Sequence, residues 1–182
     1  MLLSLLPRRS AAIAGALDRG QLVIESTTGA GKLSYYCQFH KQSLSSVHVF
    51  YDNDGPGRDQ VEAALSAGTI RDSEYTLIRC PQMSNSELED LFDVETWLRP
   101  VNDTFGISAA ASEFDGHKKW TDRVKRVLLS KGKVWTASTE KRLKTTVSEA
   151  VAEAGLSALS RTNSEPFENL VEVVERRIDS MA

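Results

Sequence analysis

Two hydrophobic periods alternate along the first half of this chain. Three short runs are rich in β-branched and aromatic residues: "QLVIES" (21–26), "SVHVFYDND" (46–54) and "EYTLIRCP" (74–81). Runs of this length bounded by turn residues predict buried parallel strands. Helical spacing fills the gaps between them. In 31–43, Leu33, Tyr36, Cys37 and His40 fall on one helix face, and in 55–68 Val61, Ala64 and Leu65 do, before Gly68 ends the pattern. A helix over 10–18 precedes the first run and stops at Arg19-Gly20. Downstream, "SNSELEDLFDVETWL" (84–98) predicts a helix with serines and acids at its start, where the helix dipole favours negative charge. Beyond Pro100, "NDTFGIS" (102–108) predicts an edge strand, 111–120 a loop, and 121–130, 138–159 and 165–181 helices.

Strand and helix in alternation specify an α/β fold: a parallel sheet flanked by helices, with a helical C-terminal appendage. Three regions follow: an N-terminal helix (1–19), an α/β catalytic domain (20–106) and a basic, mainly helical region (107–182). Parallel sheets carry their chemistry at the carboxyl ends of the strands. Those ends hold Glu25 on the first strand, Asp52 and Asp54 on the second, and Glu87, Glu89 and Asp90 after the third.

Composition changes this picture little. The 182 residues suit one compact domain, and the net charge of -3 carries no global basic footprint. Cys37 and Cys80 lie far apart without a CxxC, which excludes a clustered zinc site and fits two small buried side chains in a reducing, cytoplasmic setting. His40, His48 and His117 are scattered, and Trp97, Trp120 and Trp135 read as packing residues. In "MLLSLLPRR" the apolar run is short and precedes the arginines, the reverse of a secretory signal, and no run is long enough to span a membrane. Its leucines predict an exposed surface that packs on a partner or on a further domain.

Chemistry enters with three stretches. "STTGAGKL" has Ser26 where a phosphate loop needs its first glycine and Leu33 where it needs a magnesium-binding hydroxyl, so Lys32 reads as the start of a helix or as an auxiliary cation. "DNDGPG" brings Asp52 and Asp54 together at a strand end. Two such carboxylates cap a turn, or they share a hard cation such as magnesium or manganese. "NSELEDL" supplies Glu87 and Glu89, which cannot both face one ion from an ideal helix; as a plain helix start, Ser86 would cap it. A basic run follows. Lys118, Lys119, Arg123, Arg126 and Lys141 are candidates for a nucleic-acid backbone, and Lys144 or Lys141 for a cation beside a phosphate transition state.

Taken together, Glu25 in "VIES", Asp52 and Asp54 in "VFYDNDGPG", the acids of "NSELEDLFD" and the lysines of "TEKRLKTTVSEAV" resemble the TOPRIM (topoisomerase–primase) domain, and within it the nuclease half of OLD-family ATP-dependent endonucleases. The resemblance covers roughly 20–105, more loosely the tail. It implies a TOPRIM-type sheet and a magnesium- or manganese-dependent DNA endonuclease with two ions. Glu25, Asp52, Asp54 and one or both of Glu87 and Glu89 would be ligands, Ser86 would assist, and Lys144 would match the catalytic lysine. It also implies an ABC-type ATPase partner, since no Walker motif occurs here, together with homodimerisation and a role in phage defence. One position departs: Gly29 stands where many relatives carry a second acid. Two rivals remain, a primase-like nucleotidyl transferase and a non-cleaving TOPRIM that binds nucleic acid or an ATPase.

Overall fold

The computed structural model describes residues 1–26 and 32–180. Its only sheet among these residues is a two-stranded parallel pair. Strand β1 (Val49–Asp52) pairs in register with β2 (Tyr75–Ile78), so that Asp52 lies opposite Ile78. Between them runs helix α4 (Gly55–Ser66), which starts at the Asp54 N-cap and ends before Gly68, at φ +66°. This β–α–β unit matches the second and third predicted strands and the helix joining them.

Among the described residues seven more helices surround it: α1 (Leu2–Arg9), α2 (Ala11–Asp18), α3 (Leu33–Gln42), α5 (Val94–Phe105), α6 (Trp120–Ser130), α7 (Ala137–Ala154) and α8 (Glu165–Asp179). The pleat divides their packing. Val49, Tyr51, Tyr75 and Leu77 meet α3 and α4 through Leu33, Cys37, Val61 and Ala64. Phe50 and Ile78 point to the other side, into a larger core built from α1, α2, α5, α6, α7 and α8 around the buried Trp97 and Trp120. The three regions read from sequence therefore share one core. Both cysteines are free and buried. No helix among the described residues is long and apolar enough to cross a membrane.

Four expectations are corrected. Residues 21–26 are not a strand. Gly20, at φ +67°, ends α2, and the amides of Gln21 and Leu22 both turn back to the carbonyl of Ala16, which folds the chain against its own helix. Leu22 and Ile24 still pack on the core while Val23 is 68% exposed, so the alternating pattern survives without a strand partner. Residues 102–108 are no edge strand either: the apolar face of α5 continues to Phe105, and Gly106 closes the helix in the left-handed conformation. The leucines of the N-terminus are not all exposed: α1 forms there and buries Leu5 and Leu6 in the main core, while Leu3 stays 60% exposed. Finally, 84–98 is not one helix. A 3-10 turn, Leu88–Leu91, precedes α5, and Ser86 is a buried cross-link rather than a cap.

Candidate functional site

The site is assembled where β1 ends. Asp54 caps α4, its Oδ1 accepting from the Gly57 amide at 2.9 Å. The preceding Asn53 exchanges two backbone hydrogen bonds with Ser86, at 2.8 and 3.0 Å, which staples the "DND" turn to the "NSELED" loop. Ser86 Oγ donates to the Ile78 carbonyl at 2.5 Å and accepts from the Cys80 amide at 3.3 Å, fixing that loop to the end of β2. Asp52 Oδ1 in turn accepts from the Leu88 amide at 2.8 Å. Because 86–91 is a loop and a 3-10 turn, the helical argument against Glu87 and Glu89 acting together no longer applies.

The helical tail closes the site from the other side. Lys119, at the N-cap of α6, donates to Asp54 Oδ2 at 2.8 Å and to Glu87 Oε1 at 2.9 Å. The second oxygen of Glu87 accepts from the Thr121 amide at 2.8 Å, so this carboxylate seats the start of α6. Asp90 does the same through the Trp120 amide at 3.2 Å, and it also pairs with Arg123. From α7, Lys144 Nζ lies 3.7 Å from Glu89 Oε1. Glu89 is 4% exposed, and its Oε2 is buried without a hydrogen-bond partner.

Electrostatics follow from burial and crowding. Burial pushes Asp52 up to about 6, with Glu87 adding to the effect. Burial pushes Glu89 up to about 7, against the pull of Lys144. For Asp54 burial acts upward too, but the hydrogen bonds from Lys119 and Gly57 outweigh it and leave the carboxyl below its ordinary value. Burial would lower both lysines, yet the surrounding carboxylates hold each above the usual lysine value. Four carboxylates thus face two ammonium groups. Two further cations act on the group: Arg58, which helps to lower Asp54, and the α-amino group of Met1, which feels Glu89, bonds to Ser148 Oγ at 3.4 Å and is lowered by burial.

Of the residues read from sequence, Asp52, Asp54, Glu87, Glu89 and Lys144 come together. Glu25 does not join them: it is half exposed, and its Oε2 accepts from His40 Nε2 at 3.0 Å. Lys32 is exposed at the N-cap of α3 and makes no ion pair among the described residues. Gly29 lies outside the described residues. Among the basic candidates, Lys118 and Lys141 are exposed, and Arg126 donates to the carbonyls of Glu113 and Asp115. Arg123 turns inward to Asp90 and the Phe114 carbonyl. Lys119, read as a backbone contact, is instead the centre of the acidic group. A signal existed: a lysine directly before a helix opposes the dipole and calls for a carboxylate partner.

Among the described residues no three histidine, cysteine or carboxylate side chains converge as a ready-made metal cage. Magnesium rarely uses such cages and binds through one or two carboxylates with water filling the rest. Asp52 and the unpartnered oxygen of Glu89 fit that demand: hard oxygen donors, buried, and short of positive charge. Compared with family models, with curated proteins and with solved structures, the chain matches none.

Proposed function

We propose that this chain is a magnesium-dependent phosphodiesterase that cuts DNA, a TOPRIM-type nuclease module like that of OLD-family endonucleases. The observation that carries the reading is Glu89. Its buried carboxylate has one unpartnered oxygen, it feels the charge of Asp52 at the carboxyl end of β1, and a lysine from a distant helix lies 3.7 Å away. A buried surplus of carboxylates is unfavourable unless a cation or protons offset it.

Bound at Asp52 and Glu89, a magnesium or manganese ion supplies Lewis acidity and lowers the pKa of a water. The protein supplies the rest. Asp52 is oriented by the Leu88 amide, and Glu89 by burial. Lys144 neutralises charge on the scissile phosphate. Asp54 and Glu87, engaged by Lys119, hold α6 against the turn. The exposed Lys118 and Lys141 meet the phosphate backbone. An ABC-type ATPase partner, a homodimer and phage defence belong to the same proposal.

A second reading is a non-cleaving TOPRIM that binds nucleic acid. The pairing of Glu25 with His40, away from the acids, favours it. Incubation of the purified chain with supercoiled plasmid and Mg²⁺ or Mn²⁺, beside Asp52→Ala and Glu89→Gln, separates the two. Nicking by wild type alone supports the nuclease. Equal nicking by all three counts against this site as the nuclease, and plasmid binding without nicking supports the second reading.

A further inference from the structure

The Asp54–Lys119–Glu87 arrangement is more specific than a surface ion pair. Lys119 Nζ sits 2.8 Å from one carboxylate oxygen and 2.9 Å from another, and its side chain is 23% exposed. Each carboxylate is turned toward it by a backbone bond on its opposite oxygen, Asp54 by the Gly57 amide and Glu87 by the Thr121 amide. The lysine is itself anchored, since the next residue is the buried Trp120, whose amide bonds to Asp90. Two inward-facing oxygens on fixed carboxylates are what a second metal ion would use, and here they enclose an ammonium.

We propose that Lys119 is the built-in second cation of this site, so that the chain uses one metal ion, at Asp52 and Glu89, where two are expected. The inference rests on the metal-dependent reading above and deepens it. A cation tethered to the chain loses little translational freedom on binding. A free ion must compete with that while removing the ammonium from both of its partners. Two metal ions beside two ammonium groups would also overshoot the charge of the four carboxylates, whereas one divalent ion balances it. Glu25, a further ligand in the two-ion expectation, is engaged with His40.

The test is the stoichiometry of Mn²⁺ bound to the full chain, by calorimetry and by the electron paramagnetic resonance of the bound ion. Wild type and Lys119→Arg are expected to bind one Mn²⁺ per chain, and Lys119→Met two, the second at the vacated Asp54–Glu87 pair. Circular dichroism establishes that each variant folds. Two ions in wild type, or one in a folded Lys119→Met, overturns the proposal. If Lys119→Met does not fold, wild type decides alone: one ion supports and two overturns. Glu89→Gln separates the two layers of argument. No Mn²⁺ on wild type, or one retained undiminished by Glu89→Gln, defeats the metal site itself, whereas a wrong stoichiometry with binding lost in Glu89→Gln defeats only the role of Lys119.

Discussion

Lys144 Nζ stands 3.7 Å from Glu89 Oε1, and that carboxylate keeps its other oxygen buried and unbonded. A lysine from α7 and a glutamate from the loop before α5 thus form one half-satisfied pair. Within one turn of α7, Glu140 lies 4.0 Å from the same ammonium, so Lys144 is held at the edge of the site rather than inside it. The ammonium is close enough to steady the carboxylate and free enough to turn to a second anion.

Neutralising Glu89 should therefore stabilise the metal-free protein. The carboxyl, pushed up to about 7, costs free energy when ionised at higher pH. Glu89→Gln keeps the shape and removes that cost, roughly 1–3 kcal/mol at pH 8. Thermal melting with and without Mg²⁺ checks it. The variant should melt higher than wild type without the ion and gain nothing when the ion is added. A lower melting temperature in the absence of metal would show that Lys144 already compensates the charge.

Acidity should act on metal binding and on stability in ways that can be separated. Asp52 near 6 and Glu89 near 7 both lie above their unfolded values. The folded protein therefore holds extra protons between about pH 4 and 7, and this contribution to stability is lost as pH rises through that window. A cation must displace those protons, so Mn²⁺ affinity should fall at least tenfold from pH 8 to pH 5.5. His48 runs the other way. Burial, with Arg177 beside it, lowers its pKa to about 4, so it stays neutral when folded and costs stability as pH falls from 6.5 toward 4. Denaturant melts of His48→Gln should lack that acid slope, while its Mn²⁺ profile matches wild type.

Gly57 should tolerate no side chain. A Cβ there would meet the Asp52 carbonyl oxygen at 2.1 Å and Asp54 Oδ1 at 3.1 Å, a clash with backbone at the heart of the turn. Gly57→Ala should cost roughly 1–3 kcal/mol and displace both aspartates. Gly55→Ala, with nothing within 4 Å of its Cβ, is the matched control and should bind Mn²⁺ as wild type does. Equal affinity in the two variants would mean that the turn does not position the site.

Ser86 should matter through the backbone it holds. It is fully buried, and its hydroxyl serves the Ile78 carbonyl and the Cys80 amide. Ser86→Ala leaves both without that partner, at a cost of about 1–3 kcal/mol. Hydrogen exchange should quicken at Cys80 and along 84–91. A change confined to activity, with exchange unaltered, would instead make Ser86 a direct participant in chemistry.

Much of the site is legible in the sequence. Asp52 and Asp54 stand where a strand meets a Gly-Pro-Gly turn, and that local pattern fixes both the strand end and the cap. Glu87 and Glu89 are visible as a pair, but "NSELED" scans as a helix start, which hides their relation. A bridge to Asn53 and the buried Ser86 hold it as a loop instead, and neither partner is near in sequence. Likewise "QLVIES" has the composition of a strand, yet the left-handed Gly20 sends its first amides back to α2.

The sequence by itself determined the β–α–β unit, the helical tail and the carboxylates at the end of β1, because strand and helix periods and turn residues act over a few positions. Only the tertiary structure decided which charges meet. It set Lys119 between Asp54 and Glu87, Lys144 beside Glu89, Arg123 on Asp90 and Glu25 on His40. An ion pair depends on distance in space, and a charged side chain looks the same in sequence whether it faces water or a buried carboxylate.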